Sequence, residues 1–259
     1  MSTNPVGIFD SGIGGTSIFK EIHQLLPNEN IIYLADSLNA PYGEKSKAEI
    51  IQLSIKNTEL LLSKGCKLIV VACNTATTNA ISKLRASYNI PFIGIEPAIK
   101  PASLHTKTKA IGILATKGTL TSSLFHKTSN IYSKDITVIE QVGEGIVPLI
   151  EDGKLNSPEL KELLYSYLKP MIKVNIDYLV LGCTHYPYLI PLLTEMLPNT
   201  VKIIDSGQAV AKQTKAILEQ NELLNNTISL SQVKFYTNRN VAVLKSFVDD
   251  EFQVEYLQF

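Results

Sequence analysis

Two stretches decide how this chain is read: Leu68-Ile69-Val70-Val71-Ala72-Cys73-Asn74-Thr75 and Tyr178-Leu179-Val180-Leu181-Gly182-Cys183-Thr184-His185. Each is a short apolar run that ends on a cysteine followed by small polar residues. A continuous run of this length, without polar alternation, is the pattern of a strand buried on both faces of a parallel sheet. Similar runs at Val6–Asp10, Ile31–Ala35, Phe92–Ile95, Ala110–Ala115, Thr137–Gln141 and Val201–Asp205 alternate with longer amphipathic segments. Lys47–Ser63 carries Ile50, Ile51, Ser54, Leu60 and Leu61 at helical spacing. Asn156-Ser157-Pro158-Glu159 offers a polar cap and a first-turn proline to another helix. Strands alternating with helices predict a doubly wound α/β fold with mostly parallel sheets.

The two cysteine stretches also belong to an internal repeat. Val6-Gly7-Ile8-Phe9-Asp10-Ser11-Gly12 is echoed by Ile111-Gly112-Ile113-Leu114-Ala115-Thr116-Lys117, 105 residues later. The cysteines are 110 residues apart, and Ile95-Glu96 is echoed by Ile204-Asp205 at 109. The small drift fits loops of unequal length in two pseudo-symmetric α/β domains. The expected division is 1–97 plus 208–259 for the first and 98–207 for the second, with the active site in the cleft between them. Residues 207–259 are expected to add a helix and a strand pair to the first half.

Composition removes several function classes. With 45% hydrophobic and 19% charged residues, the chain of 259 residues reads as an ordinary folded protein. Lys and Arg number 24, as do Asp and Glu, so no electrostatic footprint marks a nucleic-acid or anionic-membrane partner. The start, Met1-Ser2-Thr3-Asn4-Pro5, lacks the basic and apolar regions of a secretory signal. The longest apolar stretch, Leu68 to Cys73, is far short of the roughly 20 residues of a membrane helix. Three cysteines, Cys66, Cys73 and Cys183, do not make a disulfide framework, and a reducing, cytoplasmic setting is expected.

In open α/β sheets, ligands bind beyond the carboxyl ends of the strands. Four such ends carry polar groups here. Val6–Phe9 leads into Asp10-Ser11-Gly12-Ile13-Gly14-Gly15, Leu68–Ala72 into Cys73-Asn74-Thr75, Ile111–Ala115 into Thr116 with Thr119 and Thr121 after it, and Tyr178–Gly182 into Cys183-Thr184-His185. Together they predict a small polar pocket of carboxylate size, aided by main-chain N–H groups at the following helix starts. The glycine-rich piece matches neither the dinucleotide fingerprint nor a P-loop, and Asp10 there has a second reading as a helix cap. Cys66 reads as a structural thiol. Cys-x-His at 183–185, with Cys73, raises a zinc alternative, but His23, His105 and His126 fall on helices or loops away from the strand ends.

At this point the residues resemble a known family. Phe9-Asp10-Ser11-Gly12-Ile13-Gly14-Gly15, Pro41-Tyr42-Gly43, Ala72-Cys73-Asn74-Thr75-Ala76, Val147-Pro148-Leu149-Ile150-Glu151 and Gly182-Cys183-Thr184-His185-Tyr186-Pro187 look like the signature set of glutamate racemase, in the aspartate/glutamate racemase superfamily. The resemblance implies that Cys73 and Cys183 are the two acid/base residues on opposite faces of bound glutamate, Cys73 serving the D-enantiomer and Cys183 the L-enantiomer. It implies that Asp10 assists Cys73, and that Glu151 and His185 assist Cys183. It places Asp10, Ser11, Pro41, Tyr42, Gly43, Asn74, Thr75, Thr184 and His185 against the substrate, with Thr116, Thr119 and Thr121 lining the pocket. It further implies a bacterial, peptidoglycan-linked role, a homodimer and no cofactor. Regulation through an N-terminal extension is not expected, the first strand starting at residue 6.

Physical chemistry supports the two-thiol reading independently. Racemisation removes a proton from one face of a carbon and returns one to the other, which two opposed bases do without turning the substrate. A thiol is only a few per cent ionised at neutral pH, so one sulfur must be held as thiolate and the other as thiol. Helix N-termini behind the strand ends would favour the thiolate and the carbanion. No pyridoxal-lysine motif is recognisable. Racemisation of aspartate or a hydantoin on the same fold, and a non-catalytic metal- or anion-binding role, are the alternatives.

Overall fold

The computed structural model describes residues 3–227 and 231–259. Among them ten strands form two sheets, and every strand pair is parallel. The strands are β1 (Val6–Asp10), β2 (Ile31–Ala35), β3 (Leu68–Val71), β4 (Phe92–Gly94), β5 (Ala110–Ala115), β6 (Thr137–Val142), β7 (Tyr178–Gly182), β8 (Lys202–Ile204), β9 (Val233–Thr237) and β10 (Gln253–Tyr256). One sheet runs β10-β9-β2-β1-β3-β4 and the other β6-β5-β7-β8. The order β2-β1-β3-β4 therefore recurs as β6-β5-β7-β8, and the sequence repeat is a repeat of topology.

That order locates the chemistry. From β1 the chain moves first to one neighbour and then to the other, so a crevice opens between the ends of β1 and β3, and likewise between β5 and β7. Those four ends carry Asp10, Cys73, Thr116 and Cys183. β1, β3 and β5 are buried along their whole length, as continuous apolar runs require.

The edges differ from the expectation of strands buried on both faces. β6 is half exposed, and its Thr137 and Glu140 face solvent because no strand lies beyond it. β4 and β8 are shorter than their apolar runs. After β4 the N–H of Ile95 leaves the ladder and donates to Thr77 Oγ1 at 3.0 Å.

The helix Gly207–Gln220 packs against the helix Thr16–Leu25, and β9 and β10 then extend the first sheet beyond β2, with a short helix Val241–Lys245 between them. A buried ion pair anchors this return. Lys67 Nζ lies 2.6 Å from Glu29 Oε2, while Glu29 Oε1 accepts the N–H of Asn225 at 2.7 Å. Among the described residues no helix is long and apolar enough to cross a membrane.

Candidate active site

Asp10 ends β1 and is fully buried. Its Oδ2 accepts the N–H of Gly15 at 2.8 Å, so it fastens the loop that starts the helix Thr16–Leu25. Its Oδ1 accepts the Thr184 hydroxyl at 3.3 Å from the other half of the molecule. Burial pushes the carboxyl up from the ordinary 3.8 to about 6, against the opposing pull of His185 and the Gly15 N–H. The carboxyl fastens the loop ahead of the helix and does not cap it: Gly15 is the N-cap, and no side chain caps this helix.

Cys73 occupies the N-cap of the helix Asn74–Ser87, where its Sγ accepts the N–H of Ala76 at 3.4 Å. Its thiol also reaches Ser11 Oγ at 3.6 Å. Burial first, and then the negative charge of Asp10, hold the Cys73 thiol well above the usual range, outweighing the helix start and Ser11. Cys73 rests as a thiol.

Cys183 is equipped differently. Its Sγ lies 3.7 Å from Nδ1 of His185, and Nε2 of the same ring lies 2.6 Å from Glu151 Oε1, at the end of the helix Ile146–Glu151. Burial alone pushes His185 down, but hydrogen bonds and charges from Cys183 and Glu151 prevail and hold the imidazole well above its ordinary value. No helix starts behind this sulfur. Thr184 and His185 intervene before the short 3₁₀ turn Tyr186–Leu189, so the sequence expectation of a helix N-terminus behind each thiol holds for Cys73 alone.

Both sulfurs line one cavity, together with Ser11, Pro41, Tyr42, Gly43, Asn74, Thr75, Thr116, Val147, Thr184 and His185. The cavity is nearly shut, with about 10 Å³ open to a water-sized sphere, room for roughly one water. Asn74 is buried there with neither its amide nitrogen nor its carbonyl oxygen hydrogen-bonded, a side chain shaped for a partner. Thr75 of the first half meets Thr116 of the second, Oγ1 to Oγ1, at 2.7 Å, and Thr119 stands behind them, 2.9 Å from Thr116.

Not every residue named from the sequence reaches the cavity with its functional group. The Tyr42 hydroxyl turns away, donating to Asp36 Oδ2 at 2.5 Å and accepting from Asn57 at 3.1 Å, so only the rest of the residue lines the wall. Thr121 bonds the carbonyl of Lys117 and lines an outer vestibule of about 510 Å³ shared with Lys45, Lys117 and Glu144. Val147 and Asp36 were not singled out. Asp36 directly follows β2, and the strand-end rule that found Asp10 would have found it too. Cys66 packs away from the cavity, its thiol pushed up to about 12 by burial. Among the described residues no group of three or more His, Cys, Asp or Glu side chains is placed to hold a metal ion.

A profile of the family described as Asp/Glu/Hydantoin racemase matches residues 7–214. Glutamate racemase of Ectopseudomonas mendocina (strain ymp) is 48% identical over 225 residues, covering 86% of each chain. The crystal structure of Escherichia coli glutamate racemase, in complex with L-glutamate and the activator UDP-MurNAc-Ala, superposes with a TM-score of 0.86 at 32% identity over 98% of each chain. That of the Francisella tularensis enzyme in complex with D-glutamate gives 0.85 at 30% identity, over 100% of this chain and 98% of that one.

Proposed function

Because the chain belongs to the Asp/Glu/Hydantoin racemase family, we propose that it interconverts L-glutamate and D-glutamate by proton transfer between the α-carbon and two cysteines, Cys73 and Cys183. The observation that carries this reading is the lining of one small cavity by both sulfurs, each at the end of a topologically equivalent strand and each with its own proton partner. The likeness to enzymes crystallised with L- and D-glutamate supports the choice of substrate.

Cys183, beside Nδ1 of His185, is the base that removes the α-proton of the L-enantiomer; the C–H electron pair stays on carbon and the proton goes to the sulfur. Cys73, held as a thiol, returns a proton to the opposite face and becomes the thiolate. The reverse reaction exchanges the two roles. To reset the pair after the product leaves, the Cys183 thiol gives up one proton to solvent and the Cys73 thiolate takes one from solvent; Asp10, at about 6, is the group beside Cys73 that can pass it, and His185 the group beside Cys183. Asn74, Ser11, Thr75, Thr116 and Thr184 offer neutral donors to the substrate's carboxylates. Among the described residues no lysine or arginine lines the inner cavity, so the developing negative charge is met by these dipoles and by the helix start at Asn74.

On the same reading the product D-glutamate is made in the cytoplasm for peptidoglycan, the protein acts as a homodimer, and the divisions 1–97 with 208–259 and 98–207 are its two lobes. The decisive measurement is solvent deuterium incorporation at the α-carbon of L-glutamate, D-glutamate and L-aspartate. Wild type is expected to racemise and label both glutamate enantiomers, while Cys73→Ala and Cys183→Ala lose racemisation. Full racemisation by either single variant refutes the two-thiol scheme, and faster turnover of aspartate refutes the substrate.

A further inference from the structure

The middle of the glycine loop, Gly12-Ile13-Gly14, lies directly against Glu151 and His185 of the other half. A Cβ placed on Gly12 would stand 1.9 Å from Glu151 Oε1, and one on Gly14 would stand 2.3 Å from His185 Nδ1. Neither position has room for a side chain while its neighbour keeps its place. Between them the main-chain N–H of Ile13 donates to Glu151 Oε1 at 2.7 Å, the same oxygen that lies 2.6 Å from His185 Nε2. The loop is itself pinned. The Tyr33 hydroxyl donates to Gly12 O at 2.9 Å, the Thr16 hydroxyl donates to Ile13 O at 2.6 Å, and Ser17 Oγ reaches Gly14 O and Thr184 O at 2.9 and 3.0 Å. A segment held at this many points sets where Glu151 sits.

We propose that Gly12-Ile13-Gly14 is a positioning element for Cys183, acting through Glu151 and His185, with the Ile13 N–H as its donor across the two halves. The proposal rests on the reading of Cys183 as an acid/base group. Glu151 Oε1, fixed by the Ile13 N–H, is the acceptor that faces Nε2 of His185, and its hydrogen bond is one of the causes that raise the imidazole. Nδ1 is left facing the sulfur, where it takes and returns the thiol proton. Outer partners of a working histidine commonly fix its tautomer and ring orientation in this way. The titratable groups facing the imidazole are Cys183, Glu151 and, from β1, Asp10.

The test uses Gly12→Ala, Glu151→Asp and the double variant, read by imidazole nitrogen NMR titration of His185 in the substrate-free protein and by kcat. Gly12→Ala is expected to push the carboxylate off His185, lowering the His185 midpoint by about one pH unit or more and kcat about tenfold or more. In Gly12→Ala/Glu151→Asp the acid is one methylene shorter, and both readouts are expected to recover from the Gly12→Ala values. An unmoved His185 titration in folded Gly12→Ala, or no recovery in the double variant, overturns the proposal. Should Gly12→Ala not fold, a main-chain ester at Ile13 deletes the donor while adding no bulk. Its loss of kcat is expected to vanish in a Glu151→Ala background, and an additive loss overturns the proposal. The titration needs no substrate, so an unmoved His185 in an active racemase refutes this inference alone, whereas absence of glutamate racemisation in wild type refutes the earlier reading.

Discussion

Asp10→Asn should make the protein more stable and less active, and both effects can be worked from the position of the side chain. Asp10 is fully buried, and its carboxyl is raised from 3.8 to about 6 chiefly by loss of solvent. A carboxyl that holds its proton more tightly in the folded state stabilises that state fully below the unfolded value. The advantage is lost as pH rises through the folded value. Wild type should therefore lose stability between about pH 4 and pH 6 and stay level above. At about 1.4 kcal/mol per pH unit, the gap from 3.8 to about 6 amounts to about 3 kcal/mol at pH 7. Asparagine never ionises, and its carbonyl oxygen keeps the Gly15 N–H, while Thr184 Oγ1 is able to turn and accept from the new amide. The difference between variant and wild type should grow from near zero at pH 4 to about 3 kcal/mol at pH 7, an increase in Tm of about 5–10 °C. Racemisation should fall by about a hundredfold, because Cys73 loses its proton partner. Urea titrations at half-unit steps from pH 4 to 8 measure the first effect, and circular dichroism of glutamate turnover the second. A stability difference that does not change with pH, or one that favours wild type at pH 7, refutes the reasoning. So does an asparagine variant with wild-type activity.

Two further outcomes separate scaffold from chemistry. Cys66→Ala removes a buried thiol that packs away from the cavity, so it should cost about 1–2 kcal/mol in urea unfolding while leaving kcat unchanged; a large loss of activity would place Cys66 in the mechanism. Lys67→Met strands Glu29 in the interior and should cost about 3–5 kcal/mol. Lys67→Met/Glu29→Gln, which keeps an acceptor for the Asn225 N–H, should recover most of it, and a double variant as weak as the single would show that the charge pair is not what holds the C-terminal return.

The fold was legible because its strands announce themselves. β1, β3, β5 and β7 are apolar runs that lead into Asp10, Cys73, Thr116 and Cys183, and the repeat in sequence became a repeat in strand order. The edge strands were less faithful, since Glu140 sits in β6, an edge strand with no fully buried residue, and no sequence run says which strand will be last in a sheet. At the site, the thiols, Asp10, Asn74 and Thr75 follow from position at strand ends alone. Where the Tyr42 hydroxyl points does not. Its partners Asp36 and Asn57 lie 6 and 15 residues away along the chain and become neighbours only when β2 and the helix Lys47–Ser63 meet. The role of Ile13 was hidden for a deeper reason: its contribution is a main-chain N–H, the same in every residue but proline, and the acceptor is 138 residues distant.

The repeat explains why two thiols meet, but symmetry alone would leave the enzyme undecided. Two identical thiols in identical surroundings share one negative charge equally, and half of the molecules would meet either enantiomer with the wrong sulfur ionised. The halves avoid this by equipping equivalent positions differently. Cys73 sits beside a buried carboxyl and stays protonated; Cys183 sits beside an imidazole whose far nitrogen is tied to Glu151. On the proposed reading, the resting protein is set to take a proton with Cys183 and to give one with Cys73. The opposite enantiomer must first draw the proton from Cys73, and Asp10, poised at about 6, is the group next to it that can accept one. A raised carboxyl that weakens the fold at neutral pH is then what lets one scaffold work from both faces of the carbon.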